Sequence, residues 1–203
     1  TIDEFAEAFA GRNIYSVRDL HSGYDQFQLA VESRDITTMR TPLGHGGTNL
    51  VAHMVNAMNK VLRDCIPNIT MPFLDDIPIK GCPVEDKDET VGLDGCRKFV
   101  SDHIGDCEKV LQKLEGVRLT FSGEKSAFGQ SEIMVVGHLC GPYGRRPSPA
   151  KVEAISAMKK ECKSVTEVRR LLGVCAFYHI WVPHYAHIAE PLHGLQKKGR
   201  KFN

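Results

Sequence analysis

The chain has 203 residues, 42% hydrophobic and 25% charged, with a formal net charge of +1, enough for one full core and a small appendage. No stretch approaches the run of about 18 apolar residues that spans a membrane, and no signal peptide precedes the first helical stretch, so an intracellular protein that is neither secreted nor membrane-bound is expected. Seven cysteines stand singly at 65, 82, 96, 107, 140, 162 and 175; an odd number with no Cys-x-x-Cys pair argues against a disulfide framework or a zinc ribbon.

Ile2, Phe5, Ala6 and Phe9 recur at helical spacing, and Gly11 ends that helix. A strand is predicted over Ile14–Arg18, ending on Asp19, and a second over roughly Gln26–Val31. Thr48-Asn49 reads as a cap for a helix whose apolar stripe is Val51, Met54, Val55, Met58 and Leu62. A hairpin follows, Ile69–Phe73 going up and Ile77–Lys80 coming back, with Pro72 and Pro78 pointing to short or edge pairing because proline cannot donate to a ladder. Residues 81–94 read as a loop. Cys96, Phe99, Val100, His103, Cys107, Val110, Leu111 and Leu114 mark a long amphipathic helix, and strands are predicted over Arg118–Phe121 and Glu132–His138.

After Pro147 the pattern is purely helical. Ser148-Pro149 reads as a cap with proline at the first helical position, Ser164-Val165-Thr166-Glu167 as a capping box, and Val168, Leu171, Leu172 and Cys175 as the buried stripe. The predicted class is therefore α+β: an antiparallel sheet with helices packed on one face, followed by a small all-helical unit. The boundary is placed at 147, giving domains 1–147 and 148–203.

The chemistry concentrates in Phe73-Leu74-Asp75-Asp76. Adjacent acids at a hairpin tip repel, and a bound divalent cation turns that cost into a gain, although aspartate is also an ordinary turn residue. Asp19 is a third carboxylate at the end of a second strand. If those strands are neighbours, the three acids converge at one rim, where they can hold two Mg²⁺ ions (Mn²⁺ as substitute) for in-line phosphoryl transfer. Charge is split along the chain. Residues 145–203 carry twelve Lys and Arg against four Glu, a net of +8 that leaves −7 for the first 144. An acidic body able to collect cations is thus followed by a basic tail able to hold phosphate backbone, the alternative being a solvated helical face with an ordinary lysine excess. His179, His184 and His187 with Cys175 read as packing or surface groups.

These segments together resemble the reverse transcriptase region of a gypsy-type LTR retrotransposon polyprotein, of a fungal kind, over nearly the whole chain. Asp19-Leu20-x-Ser22-Gly23-Tyr24-x-Gln26 is similar to the family's first catalytic segment, and Phe73-Leu74-Asp75-Asp76 to its aromatic-x-Asp-Asp segment. Leu119-Thr120-Phe121 with Lys125 and Phe128 resembles the following lysine segment, Val136-Gly137-His138-Leu139 the primer-grip turn, and Pro147 onward the thumb. The resemblance implies a palm with a remnant of the fingers over 1–147, and a thumb leading toward an RNase H domain over 148–203.

The activity implied is RNA-directed DNA synthesis: nucleotidyl transfer from a dNTP to a primer 3′-hydroxyl on an RNA or DNA template. Asp19, Asp75 and Asp76 are the implied metal ligands. Leu20, Tyr24, His45, Gly46 and Lys125 would surround the nucleotide, the Tyr24 ring flooring the sugar pocket. Gly137, His138, Arg145, Arg146, Lys151, Arg169 and Arg170 would meet template and primer. Gln26 and Gln28 alternate on the expected strand, a pattern a solvated face also explains. RNase H, integrase and protease domains of the polyprotein are expected to lie outside this chain, and the expected place is cytoplasm, virus-like particle or nucleus.

Two departures accompany the resemblance. Gly44 runs straight into His45-Gly46-Gly47-Thr48-Asn49, where relatives carry a further segment, so a strand of the fingers–palm junction is expected to be missing; the family's Asp-Tyr-Arg-x-Leu-Asn fingers segment is also absent before Thr1. The alternative is therefore a catalytically silent remnant that binds nucleic acid or a protein. A nucleotide cyclase is a distant third reading, since it has no need of the basic helical tail.

Overall fold

The computed structural model describes residues 2–26, 38–41, 44–47, 50–93, 95–158 and 161–196, leaving out the side chains of Tyr24, Asp25 and 38–50. It divides into two compact units, Thr1–Arg146 and Pro147–Asn203. The first unit opens with helix α1 (Ile2–Glu7), strand β1 (Tyr15–Asp19), a hairpin of β2 (Thr38–Thr41) and β3 (Gly44–Gly47), and helix α2 (Leu50–Val61). Strand β4 (Asp76–Lys80), helix α3 (Lys98–Glu115) and strands β5 (Ala127–Gln130), β6 (Ile133–Val135), β7 (His138–Gly141) and β8 (Gly144–Pro147) follow. The second unit holds helices α4 (Pro149–Ser156), α5 (Val165–Phe177) and α6 (Tyr185–Gly194). The α+β class is as predicted.

The central sheet runs β4-β1-β5, with β1 antiparallel to both neighbours. Alternation along a strand sends successive side chains to opposite faces. One face presents Ile77 and Ile79 to a core built with Met54, Met58 and Leu62 around α2 and Cys107, Val110 and Leu114 of α3. On the other face Tyr15 packs with Ala6 and Phe9 of the α1 segment and with Ile133, Val135 and Cys140 of the β6–β7 hairpin. The Tyr15 hydroxyl donates to the Phe9 carbonyl at 2.7 Å and accepts from the Arg12 N–H at 3.1 Å, and burial pushes its pKa up to about 12. Pro78 sits on an edge strand, as its missing N–H requires, and its carbonyl accepts from the Thr70 hydroxyl at 2.7 Å.

Several local expectations change. Residues 38–41 and 44–47 form a two-stranded antiparallel sheet that sequence pattern did not signal. Gln26 closes a 3₁₀ turn over Gly23–Gln26 rather than opening a strand; the remainder of that expected strand, and the Thr48-Asn49 cap, lie outside the described residues. Arg118–Phe121 is not a strand: Arg118 takes a positive φ of 59°, and pairing is limited to a bridge between Phe121 and Leu20. The expected strand 132–138 is split by Val136 (φ 47°) and Gly137 (φ 83°) into the tight hairpin β6–β7. In the second unit Ser164 caps α5 by accepting from the Glu167 N–H at 3.2 Å. The Glu167 carboxylate reaches back one residue further than a capping box predicts, to the Lys163 N–H at 2.6 Å. Val168 and Leu172 of α5 pack with Ala189 of α6.

Candidate active site

The register of β1 on β4 sets the site. Tyr15 stands opposite Lys80, Val17 opposite Pro78, and Asp19 opposite Asp76, so the two acids end neighbouring strands at the same edge and on the same face. Buried Tyr15 and Lys80 anchor the far end of that face, while Asp76 is exposed. Between Phe73 and Asp76 the chain reverses through Leu74-Asp75, with Phe73 N–H to Asp76 C=O at 2.9 Å and Asp76 N–H to Phe73 C=O at 3.1 Å. Leu74 holds a φ of 57°, a conformation costing on the order of 1 kcal/mol for a residue with a Cβ. Two contacts hold the tip in place: the Leu20 N–H donates to the Asp75 carbonyl at 3.0 Å, and the Phe73 ring lies 5.4 Å from that of Phe5.

Gly23 explains the Ser22-Gly23 turn after Asp19. A Cβ there would lie 2.8 Å from Met54 Cε and 3.2 Å from both Asp75 Cβ and Leu20 Cβ, so a side chain at this position would press on the acidic tip and push the Met54 methyl aside. The turn is clamped by Gln26, a role that alternation did not indicate. Its amide donates to the carbonyls of His21 (2.6 Å) and Thr120 (2.9 Å), and its oxygen accepts from the Thr120 N–H (2.6 Å) and hydroxyl (3.1 Å). With Ser122 N–H on the Asp19 carbonyl at 2.9 Å, these bonds tie the Asp19 loop to the segment leading to Lys125.

Electrostatically the rim is acidic. Although Asp76 is exposed as a residue, partial loss of water around its carboxyl first, then the negative charges of Asp75 and Asp19, raise its pKa, and the Lys125 ammonium opposes them. Lys125 Nζ lies 3.3 Å from Asp19 Oδ1, with the Asp19 side chain only 16% exposed. Among the described residues no group of three His, Cys, Asp or Glu side chains is arranged around a single metal position. Carboxylate oxygens are the donor type a hard divalent cation takes, and Asp19 and Asp76 end adjoining strands with the Asp76 proton affinity raised by burial first and by the other two acids second.

The remaining site candidates separate. Leu20 is 1% exposed and belongs to the core, so its backbone, not its side chain, faces the rim. Tyr24 lies in the 3₁₀ turn and His45 and Gly46 on β3, opposite Arg40 and Met39, with the side chains of Tyr24 and His45 outside the described set. Gly137 turns the β6–β7 hairpin, but His138 is fully buried, 3.8 Å from Asp3, where burial and the neighbouring Arg145 lower its pKa. Arg145 is only 16% exposed and is held by Asp3 and Glu7 of α1, each at 2.6 Å, while Arg146 pairs with Glu132 at 2.6 and 2.8 Å. Both arginines are thus engaged by carboxylates of the first unit, Arg145 mostly buried and Arg146 with its side chain 58% exposed. Lys151 on α4 and Arg169 and Arg170 on α5 are exposed.

Comparison with known proteins defines the class. No family model matches the chain. It is 27% identical over its whole length to the retrovirus-related Pol polyprotein from transposon 297 and, over 90% of it, to that from transposon gypsy, both of Drosophila melanogaster. It is 23% identical over 97% of its length to the transposon Tf2-3 polyprotein of Schizosaccharomyces pombe. The chain spans less than a fifth of these relatives, 18%, 17% and 14% respectively. Among solved structures, all of the chain superposes on 34% of a foamy viral protease-reverse transcriptase bound to double-stranded DNA, with a TM-score of 0.79 and 21% identity. A second, bound to an RNA/DNA hybrid, gives 0.76 at 20% identity, with 99% of this chain matched to 26% of that one. The fold is that of the reverse transcriptases. The sequence homologues are gypsy-type and Tf2 retrotransposon polyproteins, as the order of the acidic, lysine and hairpin segments implied.

Proposed function

We propose that the chain is the palm and thumb portion of an RNA-directed DNA polymerase, with Thr1–Arg146 as palm plus a remnant of the fingers and Pro147–Asn203 as thumb. The observation that carries this reading is the pairing of Asp19 with Asp76 across β1 and β4, with Asp75 bound through its carbonyl to the next residue of the Asp19 strand. Asp19, Asp75 and Asp76 would hold two Mg²⁺ ions, or Mn²⁺ in their place, and such cations would supply Lewis-acid stabilisation of the charge that develops in nucleotidyl transfer to a primer 3′-hydroxyl. The chain's own part is positioning. The strands keep the three carboxylates at one edge, and Lys125 adds positive charge beside Asp19 for the leaving phosphates. Tyr24 forms the floor of the sugar pocket, with His45 and Gly46 at its border. The β6–β7 turn at Gly137 directs the primer end, and Lys151, Arg169 and Arg170 contact the phosphate backbone of the template–primer duplex. Structural neighbours captured with double-stranded DNA and with an RNA/DNA hybrid support such a partner.

Primer extension on an RNA template with Mg²⁺ or Mn²⁺ tests the reading. Incorporation by the parent chain, abolished in Asp75→Asn, is the expected result. Salt-sensitive duplex binding without incorporation in either cation would instead assign the silent, nucleic-acid-binding remnant.

A further inference from the structure

The face of the sheet away from the acids carries a polar residue with unmet bonding capacity. Because neighbours on a strand point to opposite faces, Arg18 leaves β1 on the side away from Asp19, toward α3. There it lines a cleft of about 410 Å³ with Val100, Ile104 and Leu111 of α3 and Phe128 of β5. The guanidinium carbon lies 3.5 Å from the centre of the Phe128 ring and 5.6 Å from that of Phe121. Its Nε is buried without a hydrogen-bond acceptor. Among the described residues no carboxylate pairs with it; Glu108, at the border of the same cleft, makes no ion pair with it. A stacked guanidinium that is partly dehydrated and has no anion is costly as it stands, and a carboxylate satisfies its planar donors better than water does.

We propose that this cleft is a binding site for a small amphipathic anion, a carboxylate carried on an aromatic body. The carboxylate accepts from the Arg18 guanidinium, and the apolar body packs between Phe128 and the Val100–Ile104–Leu111 stripe of α3. The volume falls within the range of roughly 300–1,000 Å³ found for small-molecule sites. The site is separate from the acidic rim and does not depend on the polymerase reading.

Calorimetric titration with 4-phenylbutyrate and its neutral counterpart 4-phenylbutanol tests it. The carboxylate is expected to bind saturably at one site, at least about tenfold more tightly than the alcohol. Arg18→Gln should bring the carboxylate to the level of the alcohol. Ile104→Trp, at a position 48% exposed and therefore tolerant of a larger ring, should fill the cleft and abolish binding of both. Equal binding of acid and alcohol, absence of saturable binding, or acid binding unchanged in either variant overturns the proposal. If Arg18→Gln fails to fold, Ile104→Trp decides alone.

Discussion

Gly23 and Asp75 approach so closely that a methyl group on the first would lie 3.2 Å from the Cβ of the second and 2.8 Å from the end of Met54. A glycine turn on one segment thus sets the position of an acid on another. Gly23→Ala is expected to cost about 1–3 kcal/mol, the usual penalty for overpacking a filled site, and to displace the acidic tip. Urea denaturation measures the first effect. Weakened Mn²⁺ binding, followed by electron paramagnetic resonance, measures the second.

Asp76 carries a raised pKa because burial, Asp75 and Asp19 all disfavour its charge. A folded-state pKa above the unfolded one means that the folded chain binds the extra proton. The stabilising contribution is complete below the ordinary carboxylate range and is lost as pH rises through the folded value. At neutral pH the charged Asp76 therefore costs stability. Asp76→Asn should raise the melting temperature at about pH 7, and the gap to the parent should close as pH falls to about 4. Thermal scans across that range, with no divalent cation added, check the sign; a variant less stable than the parent at neutral pH would contradict it.

Gln26 joins two loops distant in sequence through four hydrogen bonds to His21 and Thr120. Gln26→Ala leaves those backbone groups to water and should cost about 1–3 kcal/mol. The loss should be local: faster hydrogen exchange at the amides of His21 and Thr120, with protection in α3 retained. Uniform loss of protection would assign Gln26 to the global core instead.

Arg145 and the arginines of α5 should behave oppositely. Arg145→Ala removes both ion pairs to α1 and should destabilise the first unit by about 1–3 kcal/mol, with little change in duplex affinity. Arg169→Ala and Arg170→Ala, at exposed positions, should leave the melting temperature nearly unchanged. Each should flatten the dependence of duplex binding on log salt by about one unit. Fluorescence anisotropy over a salt series, beside thermal scans, separates the two behaviours.

Much of this was legible before folding, because it is local. The short run Ile14–Arg18 ending on an acid marked β1, helical spacing marked α2, α3 and α5, and Pro78 marked β4 as an edge. Phe73-Leu74-Asp75-Asp76 advertised its own turn. The failures share a cause. Apolar content around Arg118–Phe121 suggested a strand, but a left-handed Arg118 turns the chain there, and periodicity does not register one backbone angle. The β2–β3 hairpin, with three glycines in β3, offers no alternating pattern to detect.

The sequence by itself determined which acids are present, their order along the chain and the helices and strands that bear them, since those follow from residue type and short-range spacing. Only the tertiary structure decided that Asp19 stands opposite Asp76, that Gln26 grips Thr120 and that Asp3 and Glu7 hold Arg145. Each of those relations joins segments tens of residues apart. Its partner is chosen by strand register and core packing, which compare whole faces of the molecule and leave no periodic trace in either segment alone.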